Sequence, residues 1–176
     1  MTALTLFDTA IGRCGIVWSE RGVLGVQLPE ASEPATRARL RRRFSGATET
    51  EPTPAIQSAI DSIVALLAGE EASDMSEVLL DLCEVPEFDA AVYRVARTIP
   101  PGETLTYRKI AQRLGDPGAA REVGQALGAN PIPIIVPCHR VLAAGGRAGG
   151  FSAPGGVMTK LRLLEIERSR IPFRLT

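Results

Sequence analysis

The chain has 176 residues, 45% of them hydrophobic and 23% charged, which are the values of a globular protein and exclude a disordered one. No apolar run approaches the roughly 18–20 residues a membrane span needs. The N-terminal MTALTLFDTAIGRCG lacks the basic-then-apolar order of a secretory leader, so a cytoplasmic protein with no membrane partner is expected. Three widely spaced cysteines (Cys14, Cys83 and Cys138) argue against a disulfide framework. His139 is the only histidine, which leaves a tetrahedral zinc site short of ligands, and no metal is expected. Net charge is zero, but its distribution is uneven. Residues 1–86 carry 7 basic and 13 acidic side chains, and residues 87–176 carry 13 and 7, so the halves stand at −6 and +6. Such asymmetry fits either a basic, anion-facing second half or ordinary solvated surface.

In chain order, residues 2–28 read as a β meander of three short runs, punctuated by Gly12 and by Glu20-Arg21-Gly22. ATRARLRRRF (35–44) predicts a strongly basic helix with a solvated face. Residues 46–54 read as a polar loop. Ile56, Ile60, Ile63, Val64 and Leu67 have the spacing of an amphipathic helix over 54–68, and VLLDL (78–82) predicts a buried strand. Beyond Pro86 the pattern turns helical. FDAAVYRVART (88–98) is one helix, and TYRKIAQRL (106–114) a second, with Thr106 as N-cap and Gly115 as C′ residue. After the Asp116-Pro117-Gly118 turn, AAREVGQAL (119–127) is a third, thin helix. Two short helices joined by a Gly/Pro turn fit a helix-turn-helix or a plain αα-hairpin. GGRAGGFSAPGG (145–156) is a glycine-rich loop. A closing helix spans 157–167, with an apolar face expected from Val157, Met158, Leu161 and Leu164.

The chemistry concentrates in IPIIVPCHRVL (132–142), where a polar trio, Cys138-His139-Arg140, interrupts an apolar run. A thiolate is the nucleophilic form of cysteine, and a neighbouring base or cation favours it. His139 and Arg140 are suitable neighbours. Adjacent side chains of an extended strand point to opposite faces, so either the backbone turns at Cys138 or a water bridges the pair. Glu165 or Glu167 could orient the imidazole. A buried structural thiol beside a core histidine fits the same residues.

From Phe88 to Glu167 the chain resembles the O6-alkylguanine-DNA alkyltransferases. The resemblance rests on TIPPGETLTYRKIAQRLG, PGAAREVGQALGANPIPIIVPCHRV, GGFS and KLRLLEIE, with the Pro-Cys-His-Arg-Val signature at Pro137–Val141. It implies an α+β chain: a small ribonuclease H-like N-terminal domain over 1–85, and over 86–176 a mostly helical, winged-helix-like domain with a helix-turn-helix. The implied function is irreversible repair of O6-alkylguanine, and of O4-alkylthymine, in double-stranded DNA. Each molecule would act once, as a monomer with no cofactor and no obligate protein partner, in the cytoplasm and at the nucleoid. Cys138 would accept the alkyl group. His139 would be general base through a water, oriented by Glu167. Tyr107 would help push the base out and donate to it, and Asn130 would brace the turn before the active-site segment. Arg121 would fill the vacated stack, with Ala119 and Ala120 against the minor groove. Arg108, Arg140, Val141, Phe151, Ser152 and Lys160 would complete the DNA and base contacts.

The chemistry is coherent, because an alkylated O6 is out of reach inside a duplex. Three features depart from several relatives: Phe151 where they have tyrosine, Ala153-Pro154 as extra loop residues, and Tyr93 where tryptophan is common. Three other readings compete. A lesion sensor of this kind lacks the cysteine, which is present here. A Cys–His hydrolase would need an oxyanion-hole motif. A winged-helix regulator would not need PCHRV between apolar runs.

Overall fold

The computed structural model describes residues 1–71 and 74–168. These form a mixed α+β chain in two compact units. The first comprises Met1–Cys83 together with Pro131–Ile135, and the second Glu84–Asn130 together with the chain from Val136 onward. The segment 131–135, in the middle of the second half by sequence, thus packs within the first unit.

In the first unit the expected meander is β1 (Ala3–Thr9), β2 (Gly12–Ser19) and β3 (Gly22–Gln27), paired antiparallel. Gly12 and Gly22 make the turns in backbone with φ of +125° and +145°, which glycine reaches without a Cβ penalty. A fourth strand, β4 (Thr48–Glu49), pairs parallel to β1, giving the order β3-β2-β1-β4. It lies in the stretch expected to be loop; two exposed polar residues carry no alternating pattern to reveal them. Residues Cys14–Trp18 of β2 are all buried, so both faces of the sheet are covered.

Helix α1 (Glu33–Arg43) is capped by Ser32 and buries Leu40 against Leu4, Leu6 and Val17. Its arginines are largely engaged. Arg37 and Arg41 pair with Glu49, and Arg43 donates to the Val26 and Pro131 carbonyls and to Gln27 Oε1. Helix α2 (Pro54–Leu67) begins at the Thr53 cap and buries Ile56, Ile60, Ile63 and Leu67 as its spacing predicts, whereas Val64 of the same expected face is only partly buried. Residues 78–82 do not form the predicted buried strand. Leu80 makes a single bridge to Val23, and Leu79 is 74% exposed. An apolar run alone does not distinguish a buried strand from an edge segment with one bridge.

The second unit holds α3 (Glu87–Ala96), α4 (Tyr107–Arg113), α5 (Ala120–Gly128) and α6 (Gly156–Ile166). Two-residue strands β5 (Leu105–Thr106) and β6 (Val141–Leu142) pair in parallel. Thr106 caps α4 by accepting from the Lys109 amide, and Gly115 follows its end at φ +82°, both as expected. Tyr93 is buried and its hydroxyl donates to the Ala126 carbonyl at 2.7 Å, so α3 is tied to α5.

The buried face of α6 differs from the expected one. Lys160, Leu163 and Leu164 are buried, whereas Val157 and Met158 are 38% and 70% exposed. A lysine at the centre of the inward face displaces the apolar stripe that hydrophobicity alone would draw. Its Nζ reaches the Val141 carbonyl at 2.7 Å, so the buried ammonium is hydrogen-bonded.

Candidate active site

The chain turns at Cys138. Cys138–Arg140 form one 3-10 turn, with the Arg140 amide bonded to the Pro137 carbonyl, so the trio is not extended. All three side chains are buried. Before the turn, Ile134 holds a left-handed backbone at φ +74°, a conformation a β-branched residue adopts only under strain. Asn130 Nδ2 donates to the Val136 carbonyl at 3.0 Å, which braces the chain where it re-enters the second unit.

Glu167, not Glu165, faces the histidine. Glu165 is exposed, whereas the Glu167 side chain is 1% exposed and its Oε1 lies 2.7 Å from His139 Nε2. Arg140 closes on the same carboxylate through Nε and Nη2 at 2.7–3.2 Å, and its Nη1 donates to the Ile99 carbonyl at 2.7 Å. Burial pushes the Glu167 carboxyl up, but the hydrogen bonds from His139 and Arg140 outweigh it and hold it at about 2. Burial lowers His139 below the ordinary imidazole value despite Glu167. The pair is therefore a neutral imidazole donating to a carboxylate, with Arg140 as the counter-ion. An ionised Glu167 can only accept, so the proton sits on Nε2 and the lone pair on Nδ1. Nδ1 is buried and has no hydrogen-bond partner among the described residues.

Burial raises the Cys138 thiol, while a hydrogen bond from Asn130 and the charge of Lys160 oppose that rise. Lys160 itself is drawn down to about 8 by burial, against the pull of Cys138. The cation that favours the thiolate is thus Lys160. Arg140, expected among the DNA contacts, has its guanidinium directed to Glu167 and to a backbone carbonyl.

A pocket of about 420 Å³ contains Cys138. Its walls are Tyr107 of α4, Gly124, Leu127 and Gly128 of α5, and Gly150, Phe151 and Ser152 of the glycine-rich loop. Burial, and then the nearby Cys138, raise the Tyr107 phenol, which keeps it protonated. Ser152 Oγ donates to the Gly128 carbonyl at 2.7 Å, joining loop to helix. Cys138, Tyr107, Phe151 and Ser152 are therefore brought together. His139, Glu167, Asn130 and Lys160 stand behind them. The Val141 side chain is buried, and its carbonyl is the Lys160 acceptor.

Arg108 and Arg121 are exposed, on α4 and α5. Ala120 is partly exposed, but Ala119 is buried at 5% and precedes α5 as its N-cap, so it packs inward. Sequence reasoning missed Gly124 and Gly128 as pocket residues. Their signal was available: two glycines four apart inside a helix weaken it, and neither is demanded by packing, since a Cβ at either would meet nothing within 4 Å.

The segment that builds this pocket lies within a region shared with known proteins. A profile for the DNA-binding domain of 6-O-methylguanine DNA methyltransferase matches residues 87–169. The methylated-DNA–protein-cysteine methyltransferase of Mycobacterium tuberculosis is 47% identical over 130 residues, covering 73% of this chain and 76% of that protein. Its namesake in Methanothermobacter thermautotrophicus is 38% identical over 153 residues, 87% and 78% of the two chains. The crystal structure of M. tuberculosis OGT in complex with DNA superposes with a TM-score of 0.76 at 36% identity, over 97% of this chain and 95% of that one. That of O6-methylguanine-DNA methyltransferase from Pyrococcus kodakaraensis gives 0.71 at 25%, over 95% and 99%. Identity of this order across most of both chains makes the chain a member of the methylated-DNA–protein-cysteine methyltransferase family.

Proposed function

We propose that this protein repairs O6-alkylguanine, and O4-alkylthymine, in double-stranded DNA by moving the alkyl group to Cys138. The observation that carries the reading is the 2.7 Å contact between His139 Nε2 and the Glu167 carboxylate. Glu167 fixes the proton on Nε2, so the buried, unpartnered Nδ1 lone pair is the base available to the adjacent thiol. Through a water, Nδ1 takes the thiol proton. The thiolate sulfur attacks the alkyl carbon, the carbon–O6 bond breaks, and Tyr107 supplies the proton that the departing guanine anion needs. All the groups required lie in one chain, which supports a monomer that needs no cofactor. A thioether has no leaving group that water displaces at a useful rate, so each molecule reacts once.

The flipped base enters the 420 Å³ pocket past α5, and exposed Arg121 fills the vacated stack. In this reading α4, the 114–119 turn and α5 are the helix-turn-helix of a winged-helix-like domain. The order β3-β2-β1-β4, with β2 antiparallel and β4 parallel to β1, supports a ribonuclease H-like first unit. Chromosomal DNA as substrate places the work at the nucleoid.

The test is stoichiometry. With excess duplex carrying O6-methylguanine, repair should saturate at one lesion per protein molecule and be absent in Cys138→Ala. Repair that continues past one per molecule contradicts the reading.

A further inference from the structure

Gly149 stands two residues before Phe151, and no chemistry above gives it a role. Its backbone is left-handed at φ +69°. A Cβ placed on it would lie 2.5 Å from the Tyr107 hydroxyl oxygen and 3.1 and 3.2 Å from ring atoms Cε2 and Cζ. The first distance is closer than non-bonded atoms approach, so the ring or the loop would have to move. This contact belongs to one position. Gly145, Gly146 and Gly150 in the same loop have nothing within 4 Å of a built Cβ.

The loop is also anchored beside that contact. Lys160 Nζ donates to the Gly150 carbonyl at 3.4 Å and to the Val141 carbonyl at 2.7 Å, and it lies 5.8 Å from the Tyr107 ring centroid. The phenol is therefore confined on two sides. Its hydroxyl end occupies the space that a Gly149 side chain would need, and the buried ammonium stands over its ring.

We propose that Gly149 is a positioning residue for alkyl transfer: its missing side chain lets the loop backbone seat the Tyr107 hydroxyl where it meets the flipped base. The proposal rests on the reading of Tyr107 as the group that donates to guanine. It differs from a simple need for left-handed backbone, because it places the constraint in the contact with Tyr107.

Single-turnover transfer from an O6-methylguanine duplex separates the two. Asparagine tolerates left-handed backbone but brings a Cβ, so Gly149→Asn keeps the steric change with less backbone strain than Gly149→Ala. Both variants should slow transfer at least tenfold, with Gly149→Asn melting near the wild-type temperature. In a Tyr107→Phe background, where the clashing oxygen is gone, the same substitutions should slow transfer further by less than threefold. Equal fold losses in both backgrounds, or a Gly149→Asn protein of full rate, overturn the proposal. A wild-type protein that leaves Cys138 unalkylated defeats the parent reading instead, whatever the variants do.

Discussion

At the scale of single residues, Arg140, Glu167 and His139 form a buried, hydrogen-bonded chain beside Cys138. Glu167 is a charge out of water, tolerable because Arg140 grips it bidentately and His139 donates to it. Removing Arg140 leaves that charge uncompensated. Arg140→Ala should destabilise the fold by about 3–5 kcal/mol, read from urea denaturation. Arg140→Lys should recover little, because an ammonium cannot reproduce the fork.

The depressed Glu167 carboxyl also has a pH signature. Its folded value of about 2 lies below the ordinary 4.5. The stability it contributes is complete above the ordinary value and is lost as pH falls from there through about 2. The amount is on the order of 3 kcal/mol. Acid titration of stability should therefore be steeper between those values in the wild type than in Glu167→Gln; parallel curves would count against the assignment. Lys160 acts on the thiol itself. Lys160→Met removes the positive charge that opposes the burial-driven rise of Cys138. The rate–pH profile for iodoacetamide modification of Cys138 should move to higher pH, with several-fold slower reaction at neutrality. An unmoved profile would show that Lys160 serves only the backbone carbonyls it bonds.

At the scale of elements, α5 presents two kinds of residue. Val123, Ala126 and Leu127 are buried, while Arg121 and Gln125 are exposed, with Gly124 and Gly128 at the pocket. A glycine inside a helix is destabilising by roughly 0.5–1 kcal/mol relative to alanine. Gly124→Ala meets open space, so it should raise stability by about that amount while weakening reaction with duplex lesions. A gain in both would show that the wall has room to spare. Arg121→Ala should slow repair in duplex much more than reaction with the free alkylated base, and equal losses would refute its role in the stack.

Elements with a strong period or a clear cap were legible in the sequence. Those of α2 and α4 follow from Ile56-Ile60-Ile63-Leu67 and from Thr106 with Gly115. The failures have one physical source, which is that tertiary partners override local pattern. Thr48–Glu49 become a strand only because β1 offers an edge, residues 78–82 keep a single bridge, and α6 turns a lysine inward because two carbonyls receive it.

At the scale of the whole molecule, the two halves differ by sequence charge, −6 against +6. The unit that carries Cys138 is the one richer in lysine and arginine. DNA binding should therefore weaken steeply with salt even though the net charge is zero, because each phosphate contact releases counterions. Cys138, His139 and Arg121 are singled out in the sequence, since the resemblance that marks them rests on unbroken stretches of chain. The sequence could not show that Arg140 faces Glu167, that Ala119 is buried, or that a side chain at Gly149 would strike Tyr107. Each of these depends on the fold bringing distant side chains together.

The most direct measurement is the mass of the protein after reaction. Incubated with a duplex carrying O6-methylguanine and then cleaved into peptides, the peptide containing Cys138 should gain one methyl group and no more. Those containing Cys14 and Cys83 should stay unchanged. An unmodified Cys138 in a protein that has cleared the lesion, or the methyl group on either other cysteine, would contradict the account.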